Sequence, residues 1–398
     1  MGASLASQEY SMISSTRLLA TVLLISLGIN ALAQQGRRGP RPNREAALVE
    51  AFKGVFYNGQ TPDKDLFPIT QTGVSTEPVR LAALDFLSTL SSTQRKSTVF
   101  PVNDIEWRKW DNRHSYTRQG MGFEDMTQAQ RNRAFGLLRA SLSARGLKQS
   151  KDIMKLNGTL EELVQRPGYG EWLYWITVMG EPSADKPWGW QIDGHHLVIN
   201  YFVLGDQVVM SPVFMGSEPI TAKSGKFAGT VVCQEEQGGG LAMINTLDEV
   251  QRAKAIVKST KDGTNNVGEA FRDNQNLDLI GIRASELKPV QRTQLLKLIA
   301  IYIGHMRDPH AKVKMKDVFA HLDDTYFGWM GGTEADSVFY YRIQSPVLLI
   351  EFDHQRPIAL ARSQTPTRDH IHTVIRTPNG NDYGKDLLRQ HHLQHSHE

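Results

Sequence analysis

Residues 174–202 read YWITVMGEPSADKPWGWQIDGHHLVINYF, and residues 325–353 read TYFGWMGGTEADSVFYYRIQSPVLLIEFD. The two align without a gap. Met179-Gly180 falls on Met330-Gly331, Ala184-Asp185 on Ala335-Asp336, and Ile192, Leu197 and Ile199 on Ile343, Leu348 and Ile350. Aromatics coincide too: Trp175 with Tyr326, Trp188 with Phe339, Trp190 with Tyr341, Tyr201 with Phe352. Asp193-Gly194, between 188–192 and 195–204, predicts a tight hairpin turn. Gly205-Asp206 predicts the next reversal, into 207–214, and Gln344-Ser345-Pro346 a turn between 338–343 and 347–354. These blocks read as antiparallel meanders, not parallel crossovers.

Upstream of each block lies a helical pattern, over 127–145 and 289–306. Thr127 and Gln130 form a capping box, and Pro289 suits a first helical turn. Leu137, Leu138 and Leu142 make an apolar stripe in one; Leu295, Leu298, Ile299 and Tyr302 do so in the other. The starts share Gln130-Arg131 and Gln291-Arg292, and Leu90 to Arg95 repeats the motif. The expected fold is α+β, in two weakly duplicated halves of helices packed on antiparallel meander strands, at 44–235 and 236–392.

The chain has 398 residues, 22% charged and 40% hydrophobic, with formal charge +3. That composition excludes a disordered or collagen-like chain, and the balance of charge gives no footprint for nucleic acid. Cys233 is alone, so no intramolecular disulfide forms. Arg17, the apolar run to Gly28 and Ala31-Leu32-Ala33 read as a signal peptide over 1–33, with Met1 or Met12 as initiator. A flexible basic linker follows at 34–43. The expected location is secreted or periplasmic, with no membrane anchor after cleavage. Asn157-Gly158-Thr159 matches a glycosylation sequon.

The chemistry concentrates near the C-terminus. Residues 369–376 read DHIHTVIR. On a strand, His370, His372 and Arg376 share a face, with the two imidazoles about 7 Å apart at Cβ. Glu351 and Asp353 share a face of the preceding strand. Paired strands would bring carboxylates and imidazoles together, a donor set for zinc, iron, copper or manganese. His391, on a short helix, supplies a further nitrogen, while the tail at 393–398 is a poorer candidate. Arg376 would hold an anionic group and His195 or His196 act as acid or base. The plainer reading makes His370 and His372 a solvated polar face. Trp172, Trp175, Trp188 and Trp190 form either a ligand platform or core.

Three blocks carry a resemblance: Trp188-Gly189-Trp190-Gln191 with Gly194-His195-His196-Leu197; Tyr340-Tyr341-Arg342-Ile343-Gln344 with Leu349-Ile350-Glu351-Phe352-Asp353; and His370-Ile371-His372 through Arg376, with Asn381-Asp382-Tyr383-Gly384 and Asp386-Leu387-Leu388. Together, over most of 45–392, they resemble the domain of unknown function 3500 family. The resemblance implies a frequently exported protein of this length and no established reaction. Two functions remain open. One is an exported metal-dependent hydrolase or oxidoreductase. The other is a non-catalytic exported protein binding a glycan, peptide or small molecule on its tryptophans.

Overall fold

The computed structural model describes residues 43–395. The expected signal peptide and all but the end of the expected linker lie outside the described residues. Arg44 onward is one compact α+β unit containing both halves.

Eight long strands form the body of a mixed sheet: β1 (Tyr174–Met179), β2 (Trp188–Gly194), β3 (Leu197–Leu204), β4 (Gln207–Ser217), β5 (Tyr326–Gly331), β6 (Phe339–Ser345), β7 (Leu348–His354) and β8 (Ile371–Arg376). Their spatial order is β5-β6-β7-β8-β4-β3-β2-β1, so two antiparallel meanders meet at the β4–β8 seam. The aligned blocks share register as well as connectivity. Trp175 opposes Asp193 as Tyr326 opposes Gln344, and Phe202 opposes Gly189 as Asp353 opposes Tyr340.

The helix starts correspond in detail. Capping-box glutamines Gln94, Gln130, Gln251 and Gln291 open α1 (Ser92–Thr98), α2 (Gln128–Ser141), α5 (Glu249–Ala255) and α6 (Pro289–Ile303). They bond in pairs. Gln130 Nε2 donates to Gln94 Oε1 and Thr89 O; Gln291 Nε2 donates to Gln251 Oε1 and Thr246 O. The fourth start, Leu247 to Arg252, was not singled out in the sequence; there Asp248 is the cap.

The first helical pattern stops earlier than expected, at Ser141. Leu142 is extended and bridges Met306, and Ser143 caps a new helix, α3 (Ala144–Val164), by accepting from Gly146 N. The equivalent helix after the bridge is α7 (Asp308–Ala320). α4 (Gln234–Asn245) and α6 cover one sheet face, where Tyr341 Oη donates to Glu236 O. Trp188 and Trp190 are fully buried, which removes them from any surface platform.

The turn between β2 and β3 departs from expectation. Asp193 and Gly194 belong to β2, and His195-His196 makes the turn, with His196 at φ +62°. Gly194 is there for packing: a Cβ would lie 2.2 Å from the Tyr174 ring. Asp193 is buried against Arg118, 3.1 Å away. This one-step shift moves both histidines off the strand.

At the end of β7, His354 Nδ1 accepts from Phe339 N at 2.9 Å and Nε2 meets Gln237 Oε1 at 2.8 Å. Burial, then Arg368, pulls its pKa down to about 3. Between pH 6.5 and 3 the unfolded chain therefore takes up a proton that the folded chain refuses. His354 costs stability on acidification, by at most about 1.4 kcal/mol per pH unit. Chemical denaturation of wild type and His354→Gln should show the wild type's advantage shrinking as pH falls from 6.5 to 4. A pH-independent difference would contradict a neutral His354.

Candidate metal centre

Three buried imidazoles converge at the β4–β8 seam. His196 Nε2 lies 3.2 Å from His370 Nε2 and 3.1 Å from His372 Nε2; the latter two are 3.0 Å apart. His372 projects from β8 and opposes Gly216 on β4. A Cβ at Gly216 would sit 2.3 Å from Ile371 O and within 3.4 Å of both the His196 and His372 rings, so only glycine leaves room for the pair. His196 swings in from its turn, its backbone held by Asn112 O and Gly216 N.

The outer nitrogens are individually fixed. His370 Nδ1 lies 2.7 Å from Arg356 O, a group that only accepts, so Nδ1 carries the hydrogen and Nε2 the lone pair. Glu218 stands 3.6 Å from the same nitrogen, its carboxylate receiving the N–H groups of Ile358, Ala359 and Leu360. His372 Nδ1 meets Glu269 Oε1 at 2.9 Å. Burial pushes the Glu269 carboxyl up to about 7, against the pull of Arg272. Burial, then His372, lowers His370 to about 3; burial, then Lys261, does the same to His372; burial, then His195, takes His196 well down. The three rings are neutral, the form in which imidazole binds metal.

These atoms can hold a metal ion. Metal–nitrogen bonds of about 2.0–2.1 Å over such a triangle subtend roughly 98° each, between facial octahedral and tetrahedral values. Three nitrogen donors leave a position open.

The carboxylates expected as ligands are elsewhere. Asp353 does oppose His372 across β7–β8, and Glu351 opposes Val374. Their oxygens, however, turn to backbone N–H groups. Glu351 accepts from Val267 N, Gly268 N and Tyr340 Oη. Asp353 accepts from Asn265 N and Asn266 N and pairs with Lys261 at 2.9 Å. Arg376 is likewise not free for substrate. It is fully buried, bonding Asp273 and Asp382 at 2.9 and 3.0 Å and donating to Gly268 O and Glu269 O. Together these three side chains hold the segment 265–273 that delivers Glu269 to His372. His391 lies on α8 (Lys385–Gln394), its ring 4.6 Å from that of His395, and is no member of the group.

His195 packs against His196 with ring centroids 4.0 Å apart. Asn157 Nδ2 donates to Gly170 O at 2.7 Å, which aims its Oδ1 at His195 Nδ1, 2.8 Å away. His195 Nδ1 therefore carries the hydrogen and Nε2 the lone pair. Asn157 is a buried helix residue with this task, so the sequon is no open glycan site. Glu218 and Glu269 escaped the sequence reading, and Asn157 figured there only as a sequon residue; only the fold brings the three to the histidines.

A family model described as Protein of unknown function (DUF3500) matches residues 72–385. No curated protein and no solved structure matches the chain significantly.

Proposed function

The chain belongs to the DUF3500 family, and from that premise we propose that it is an exported metal-dependent enzyme whose ion is held by His196, His370 and His372. The observation that carries the reading is the lone pair that Arg356 O forces onto His370 Nε2, aimed at two other neutral imidazole nitrogens 3.0 and 3.2 Å away. A cation between the three would take all three lone pairs at once, whereas a hydrogen shared between two neutral rings joins only those two.

Three imidazoles suit zinc, copper, iron or nickel, and an open position is the mark of a catalytic zinc site. Hydrolysis is the favoured chemistry: an ion held by His196, His370 and His372 would supply a more acidic bound water, and His195 Nε2, whose lone pair is left free by the Asn157 bond, would serve as the proton acceptor. Glu269 orients His372 and Arg356 O orients His370, while the nearby Glu218 carboxylate raises the basicity of His370. Burial of Trp188 and Trp190 weighs against the tryptophan-platform alternative. The run at 18–33 supports export, which N-terminal sequencing of the mature protein checks. Shared connectivity, register and glutamine pairs support a duplicated origin of the halves.

The test is elemental analysis of the mature chain ended at Gln390, which removes the histidine-rich tail. One equivalent of a transition metal per chain is expected. A chain that retains none, after incubation with zinc, iron, copper, nickel and manganese in turn, lacks the centre.

A further inference from the structure

A cavity of ≈ 240 Å³ lies among residues of the helix-covered sheet face. Leu348 and Ile375 line it, and their side chains point to the face opposite His372. Phe67, Val209, Ile303 and Met306 add apolar wall, and Thr70, Gln207, Thr377 and Asn381 polar wall. One wall carries ionisable groups. α7 places His310, Lys314 and Asp317 at i, i+4 and i+7, in line along one helix face, and all three border the cavity.

Two of these groups lack full partners. His310 is 3% exposed, and its Nε2 has no hydrogen-bond partner among the described residues. Lys314 Nζ donates to Val347 O at 2.9 Å and forms no ion pair among the described residues, Asp317 standing beyond pairing distance. An ammonium with one acceptor and an imidazole nitrogen with none, both on residues bordering a largely apolar cavity, are costly unless something further accepts from them. Burial accordingly pulls the Lys314 pKa down, with Asp317 and Asp382 opposing. The cover is the segment 66–72. It is tied to the β3–β4 turn by Thr70 N to Gln207 Oε1 at 2.8 Å and Thr72 Oγ1 to Asp206 O at 2.8 Å. Lys314 Nζ sits 5.7 Å from the Phe67 ring within that cover.

We propose that this cavity binds a small amphipathic monocarboxylate, its acyl chain on the apolar walls and its carboxylate on Lys314 Nζ and His310 Nε2. The volume is below the roughly 300 Å³ of the smallest drug-sized sites, which favours a single short chain. The site is independent of the metal centre and stands or falls without it.

Isothermal titration of the mature chain with octanoate, butyrate and octan-1-ol tests it. Octanoate should saturate one site. Butyrate, with four fewer methylenes, and octan-1-ol, with no charge, should each bind at least about tenfold more weakly. Lys314→Gln should weaken octanoate by about tenfold or more and leave octan-1-ol unchanged. Equal binding of octanoate and octan-1-ol by the wild type would reduce the site to an apolar hole, and absence of saturable octanoate binding would refute it. Both outcomes are read on wild type, so a variant that fails to fold does not shield the proposal.

Discussion

His370→Ala is expected to lose nearly all bound metal while the chain stays folded. Two imidazoles would remain, and the fixed lone pair of His370 Nε2 would be gone. The loss should exceed the roughly 10–100-fold fall that follows removal of an outer partner. Glu269→Gln, which spares all three nitrogens, should give a fall in that smaller range. His372→Gln keeps size and polarity but supplies a poor ligand, so it should fail almost as badly as His372→Ala. With free metal at about 1,000 times its dissociation constant, the wild type gains about 4 kcal/mol of stability. The alanine variants should gain none. Metal content and the metal-induced rise in melting temperature, measured side by side, decide the matter. If His370→Ala and His372→Ala keep a full equivalent of metal, the ion is held elsewhere.

Arg376→Met should be the most destabilising single change, by about 3–5 kcal/mol, because it strands a buried carboxylate pair. Asp273 and Asp382 both meet Arg376 Nη1, within 3.0 Å. Asp273 also pairs with Arg108 at 2.7 Å and receives Tyr383 Oη at 2.9 Å. The same change cuts the bonds to Gly268 O and Glu269 O, so Glu269 loses its anchorage and metal affinity drops secondarily. Denaturant titration of the metal-free protein isolates the structural part. A variant with wild-type stability that fails only to bind an anionic substrate would restore Arg376 to the role its sequence position suggested.

Much of the fold was legible because it is written in local periodicity. An ungapped alignment of 174–202 with 325–353 carries register, since a side-chain period of two makes a slip of one residue turn a whole strand inside out. Shared apolar positions therefore imply shared pairing, and the paired strands match at every aligned position cited above. The Gln-Arg helix starts were legible for the same reason, as a cap is a contact between residues three apart.

The site was legible only in part. His370 and His372 declared themselves by sharing a strand face. His196 was singled out beside His195, but its place depended on where the hairpin turned. Asp193-Gly194 carried the local turn signal, yet the Tyr174 ring demands the glycine and Arg118 holds the aspartate in the strand. Tertiary contacts overrode turn propensity and put His196 at φ +62° over the seam. Glu351, Asp353 and Arg376 lie on the histidines' face, but their polar atoms meet other partners. A strand pattern fixes the side to which a carboxylate points but not which donor it meets. The backbone donors here come from 265–268, some 80 residues away in sequence. The sequence by itself determined the two meanders, their register and the paired histidines. The tertiary structure alone decided the third histidine, the partners that fix each ring and the carboxylates' structural task, because those depend on contacts between distant segments that no local period encodes.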